Sequence, residues 1–198
     1  TRLRCDWSSD VCSSDLDASL SSASRDVLVD LPDDIKERMQ RMQIQYHVEV
    51  IKNYPNTLIA GWHIEEAIYS AMYGTDSKSP YYGNYHYGFQ RLYESQVLEA
   101  RLPDVVLIHM TASDAAISER MRIFPHQYQI IEEKDIPDIK QRFEEEVGKS
   151  LFTQKGRKIV LETTEKSPQE SLDELLEKTE SLITIGELAI RSLSLPGG

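Results

Sequence analysis

Cysteine is almost missing from this chain: its 198 residues hold two, Cys5 and Cys12. None follows position 12, which excludes a disulfide framework and a thiolate metal site. Long apolar runs are missing as well. No stretch approaches the roughly 18 apolar residues of a membrane span, and the serine-rich stretch from Ser19 to Ser24 lacks the apolar core of a secretory leader. A cytoplasmic protein with no membrane partner is expected. Positive charge is short too: Lys and Arg number 22 against 33 Asp and Glu, for a net charge of -11. That argues against nucleic acid as a partner, because a sequence-independent grip needs a basic face to displace counterions. Nucleotide-sized anions stay open, since a few placed arginines can bind a phosphate on an acidic protein. His63, Glu65 and Glu66 lack the two-histidine spacing of a zinc hydrolase, so no metal ligands are expected.

What the first residues do contain is informative. Asp6 to Leu16 reads Asp-Trp-Ser-Ser-Asp-Val-Cys-Ser-Ser-Asp-Leu, which is codon for codon the translation of a common short-read library adapter. Residues 1–16 are therefore expected to be a sequencing scar and to stand outside fold reasoning. Residues 17–198, about 180 in number, fall within the usual range of one domain.

Strand-like and helix-like segments alternate along that remainder. Val27 to Asp30 is a short apolar run expected as a strand, and Pro32 with Asp33 and Asp34 opens a helix. Its apolar face is expected at Ile35, Met39, Met42, Tyr46 and Val50, three or four residues apart. Thr57 to Gly61 is read as a strand and Ile64 to Tyr73 as a helix stopped by Gly74. A helix from Tyr85 to Ala100 follows, then the clearest strand, Val105 to Met110, whose consecutive apolar residues predict burial on both faces. Ser113 caps a helix to about Arg122, and Asp135 one that ends near Gly148. Lys158 to Glu162 is the last strand. Ser167-Pro168 opens the last helix, with Leu172, Leu175, Leu176, Leu182 and Ile183 as its apolar face. Such alternation predicts an α/β layer fold with a mostly parallel sheet.

The stretch Leu102-Pro-Asp-Val-Val-Leu-Ile-His-Met-Thr-Ala-Ser-Asp-Ala-Ala-Ile-Ser-Glu-Arg-Met-Arg122, with Arg91-Leu-Tyr-Glu before it, resembles a passage of P-loop nucleoside and nucleotide kinases. There a strand announced by Pro-Asp leads into a helix ending in arginines. Thr57 to Ser70 is similar to the strand and helix that carry Asp-Arg in thymidylate kinases and Glu-Arg-Ser in deoxynucleoside kinases, although here Trp62, His63, Glu65 and Glu66 stand in that place. Arg157 to Glu174 resembles the closing strand and helix, with Ser167-Pro-Gln-Glu170 at the helix start. The resemblance covers about residues 55–177. It implies a three-layer P-loop kinase-like parallel sheet flanked by helices, and ATP-dependent phosphoryl transfer to a nucleoside, nucleotide or similar small hydroxyl acceptor, with ATP and Mg²⁺ as cofactors of the full-length protein.

The phosphate loop itself, Gly-x-x-x-x-Gly-Lys-Ser/Thr, is absent. Gly148-Lys149-Ser150 is a decoy, because Phe143 stands where the first glycine belongs and the segment follows a helix. The resemblance places that loop, and the central first strand, upstream of Asp17. The chain is accordingly expected to be inactive, to bind neither cofactor, and to leave inner strand edges open to aggregation.

Within this frame Glu65 and Glu66 are candidate catalytic carboxylates, at the carboxyl end of a strand where parallel sheets bind ligands. The alternative is an acidic first turn favoured by the helix dipole. Arg120, Arg122 and Arg142 bracket a lid-like segment and could neutralise phosphoryl oxygens. They could equally complement a helix end or, for Arg142, pair with Glu145 or Glu146. His63, Tyr69, Arg91 and Tyr93 are candidate substrate contacts, with core packing as the alternative for the rings. Two other classes fit the same residues: a sulfotransferase-like P-loop enzyme, and a regulatory scaffold that associates as a homo-oligomer through its carboxyl-terminal helix, along Leu182, Ile183, Ile190 and Leu193.

Overall fold

The computed structural model describes residues 21–54, 57–73, 95–102, 104–125, 131–180 and 182. The first described element is a helix, α1 (Ser22–Val29), and not the strand expected at Val27 to Asp30. The cause is local: Ser21 is extended and its hydroxyl accepts the Ser24 amide at 3.2 Å. A capped start outweighs the β-preference of a short Val-Leu-Val run, which periodicity cannot separate from helix.

Helix α2 (Asp33–Asn53) follows Pro32 as anticipated. Its buried side, however, is not the expected one. Ile44 and Val48 are buried, whereas Ile35, Met39, Met42 and Tyr46 are exposed by 43, 41, 65 and 60%. The sequence carries apolar residues on two sides of this helix, and only one packs inward. Thr57 to Gly61 is not a strand either. It runs as irregular backbone with Leu58 exposed and meets no strand among the described residues. Gly61 then turns the chain with φ of +72°, a conformation that only glycine adopts without strain. Helix α3 (His63–Tyr73) begins two residues later, and residues 95–100 form helix α4.

The sheet has two described strands, β1 (Leu107–Thr111) and β2 (Lys158–Glu162), paired in parallel from Leu107 opposite Lys158 to Thr111 opposite Glu162. Between them run α5 (Asp114–Ile123), a 3-10 turn (Glu133–Asp135), α6 (Ile136–Lys149) and the single turn α7 (Leu151–Gln154). A parallel pair demands such a crossover. Both strands lie close to their expected positions. Burial on both faces does not hold for this pair: Met110 is 62% exposed and Val160 39%. The last helix, α8 (Pro168–Glu180), packs on β2. Its start is a reciprocal cap, with the Ser167 amide donating to Glu170 at 2.8 Å and the Glu170 amide to the Ser167 hydroxyl. Again the expected apolar face is largely outside, with Leu172 and Leu176 exposed by 46 and 57%.

The fold is thus mixed α/β and mostly helical, with helices on a two-stranded parallel sheet. Among the described residues two apolar clusters hold it. Ile44 and Val48 from α2 meet Leu98, Leu102 and Phe152, with Trp62, Val105 and Leu107 against them. Ile68 and Tyr69 from α3 meet Ile131 and Ile139, with Met121 and Phe143 alongside. Burying each such large side chain contributes about 1.5–3 kcal/mol. Trp62, just ahead of α3, belongs to the first cluster, and α3 itself packs in the second. Among the described residues no helix is long and apolar enough to cross a membrane.

Candidate functional site

The amino end of α3 concentrates polar side chains inside the protein. His63, Glu66 and Ser70 recur along one side of the helix and are 2, 5 and 1% exposed, against the general rule that such groups face water. The centre of the cluster is supplied by α4. His63 Nε2 lies 3.1 Å from Glu99 Oε1, both side chains all but sealed from solvent. The second Glu99 oxygen accepts the Leu151 amide, the first N–H of α7, at 2.6 Å. One carboxylate thus joins α3, α4 and α7. The Trp62 ring stands edge-on to His63 at 4.4 Å and donates its indole N–H to the Ile44 carbonyl, bringing α2 into the same knot.

Glu65 is arranged differently. Its carboxylate folds back over Gly61, so closely that a Cβ on Gly61 would collide with Oε2. Glu65 has no hydrogen-bonded or ionic partner among the described residues. Burial pushes its carboxyl up to about 7, since an ionised group loses hydration there. A carboxyl near neutrality can both give and take a proton, which is what a general acid or base requires.

A second polar group gathers where the two strands end. The Thr163 amide and hydroxyl both donate to the Thr111 carbonyl, at 2.8 and 3.0 Å, and the Ser113 amide donates to the Thr164 hydroxyl at 2.7 Å. Arg120 spans this junction, donating to the Thr163 hydroxyl at 3.1 Å and to its carbonyl at 2.6 Å. Ser113 also caps α5 through the Ala116 amide, as its position suggested.

The candidate residues do not all converge. His63, Glu65 and Glu66 stand together at the start of α3, and Tyr69, one turn on, is buried beside Phe143 in the apolar cluster. Arg120 is committed to Thr163. Arg122 pairs with Glu119 on the surface, and Arg142 pairs at 3.0 Å with Asp138, not with Glu145 or Glu146. Arg91 and Tyr93 lie outside the described residues, as do Ile183, Ile190 and Leu193. Lys149 pairs with Glu146 and Ser150 caps α7, so Gly148-Lys149-Ser150 is a junction between helices.

Sequence reasoning missed Glu99, Thr163 and Thr164. Glu99 leaves one clue, a lone carboxylate inside the apolar run Val97-Leu-Glu-Ala-Arg-Leu102. Among the described residues no group of three His, Cys, Asp or Glu side chains is placed to hold a metal ion, and Arg120, Arg122 and Arg142 are engaged with Thr163, Glu119 and Asp138. Comparisons with protein-family models, with curated proteins and with solved structures return no match to this chain.

Proposed function

We propose that this chain carries the acceptor-side helix and closing strand of a P-loop kinase-like phosphotransferase, one that moves a phosphoryl group from ATP to a nucleoside, nucleotide or similar small hydroxyl compound. One observation carries the reading: the two outer edges of the sheet are treated differently. Leu107 donates its amide to the Arg157 carbonyl, and Thr111 accepts from Thr163. The alternate residues of each strand therefore turn their backbone groups outward.

On β2 that outer edge is closed, because Lys178 of α8 donates to the Val160 carbonyl at 2.7 Å. A lysine over a strand edge is a common way to stop further pairing. On β1, the backbones of Ile108 and Met110 meet no partner among the described residues, and no charged side chain guards them. An unguarded apolar edge suits a strand meant to be interior. The kinase-like sheet sets its phosphate-loop strand beside the strand resembled by β1, on the side away from β2.

Glu65 then serves as the proton acceptor for the attacking hydroxyl, with His63 and Glu99 fixing the first turn of α3. The glycine-rich loop that would cradle ATP and Mg²⁺ is not formed by the described residues, so no step is assigned to them beyond acceptor activation. The test is to recover the upstream reading frame of the gene, express it joined to residues 17–198, and assay ATP-dependent phosphorylation of a nucleoside and nucleotide panel. A glycine-rich loop behind an apolar strand, with transfer abolished by Glu65→Gln, is the expected result. An upstream frame without such a loop overturns the proposal. A non-enzymatic oligomeric protein is the second reading, favoured by the exposed apolar sides of α2 and α8.

A further inference from the structure

We propose that α2 of one copy of this chain docks against α8 of a second copy, independently of any phosphotransferase activity. The exposed residues of α2, Ile35, Met39, Met42 and Tyr46, are spaced four, three and four apart. That is the seam along one side of a helix that another helix covers. The opposite side of α2 is used up on Ile44 and Val48, and the seam belongs to neither apolar cluster. Its two methionines suit a surface that must adapt to a partner.

Helix α8 offers the matching half. Leu172 and Leu176 lie one turn apart on its outer side, while Ser171 is buried beneath. The electric charge of the borders decides between partners. Beside the α2 seam stand Arg38, exposed and without an acidic partner among the described residues, and Glu49, whose charge is already met by Lys52 at 3.2 Å. Beside the α8 leucines stand Asp173, Glu177 and Glu180, all exposed and without a cationic partner among the described residues. Among the described residues, placing α2 on α2 would offer Arg38 no acid that is not already paired, and α8 on α8 would set acid against acid. Only the mixed contact joins opposite signs, which sets register and suppresses the wrong pairing. Two such contacts related by a twofold axis cover the α2 and α8 seams of both copies.

Disulfide trapping tests the geometry. In a Cys5→Ser, Cys12→Ser background, Met42→Cys and Leu176→Cys chains are prepared separately, mixed, and oxidised gently. The expected product links position 42 of one chain to position 176 of the other, identified by mass spectrometry of the joined peptides. Cross-links only between like positions overturn the proposal, as does a mixture that stays monomeric in sedimentation velocity. Charge exchange gives a second readout on surface positions that leave the fold intact by circular dichroism. Arg38→Glu and Glu177→Arg should each weaken association about threefold, and the two variants mixed should recover it. Equal weakening without recovery rejects the pairing of these two borders.

Discussion

Glu99→Ala removes the carboxylate on which three helices meet, and its cost follows from what is left behind. The Leu151 amide, held at 2.6 Å, loses its acceptor in a buried place, a penalty of about 1–3 kcal/mol. His63 loses the group 3.1 Å from its Nε2 while staying sealed from water. A second buried polar group left without its neighbour adds a cost of the same size, for about 2–6 kcal/mol in all. Relief of the carboxylate's own dehydration is already contained in that range. Against a total stability of about 5–15 kcal/mol, the variant should lose a large part of its folded population under mild urea. Glu99→Gln keeps the shape and one acceptor oxygen, so it should cost roughly half as much. Trp62 stands against His63, and its fluorescence in a Trp7→Phe background reports the knot directly during urea unfolding. A loss below about 1 kcal/mol for Glu99→Ala, or equal losses for the two variants, would refute the idea that this carboxylate ties the helices.

Arg120→Ala should destabilise by about 2–3 kcal/mol, the range for a charged donor with two neutral acceptors, and should speed amide exchange at Thr163 and Ser113; unchanged exchange there would count against a pinning role. Glu65 binds its proton more tightly folded than unfolded, with a pKa raised from 4.5 to about 7. Stability from this group is therefore full below pH 4.5 and declines as pH rises toward 7, by a few kcal/mol at most. Glu65→Gln should flatten that decline in pH-dependent urea melts, and an unaltered slope would show that the carboxylate is hydrated. His109 has the opposite sense: burial first and Lys158 second hold it below the ordinary 6.5, against a smaller upward pull from Glu144. Its ring is near-parallel to that of Phe143 with centres 6.3 Å apart; its contribution is present above pH 6.5 and lost as pH falls below that toward the lowered folded value, and a His109→Gln variant should lack that acid limb. Met110→Lys puts a charge at the open strand edge and should reduce light scattering on concentration while shifting the melting midpoint little; undiminished aggregation would place its origin elsewhere.

Much of the fold was legible where the determinants are local. The Ser167 and Glu170 cap sits within one turn, the Ser113 cap likewise, and the β-branched runs of β1 and β2 are bounded by turn residues. The errors came where local signals are silent about context. Val27 to Val29 suits helix or strand, and its capped start decided. On α2 and α8 the apolar spacing marked a face that the fold leaves largely exposed, because spacing alone does not say which side of a helix packs inward. The site was less legible. Glu65 and Glu66 were visible as acids at a helix start, yet Glu99 finds its amide partner 52 residues along the chain, and Arg120 finds Thr163 43 residues away. Pairings of that span are set by tertiary packing and leave no short-range trace.

Gly61 has a consequence for reading relatives of this chain. The volume that a side chain at 61 would claim is already taken by the carboxylate of residue 65, and the backbone there sits at φ +72°. Any homologue with a larger residue at 61 must have moved the acid aside and either strained or relaxed the turn. A single letter in an aligned sequence would then report which pose the acid adopts, and whether its proton affinity is tuned or ordinary.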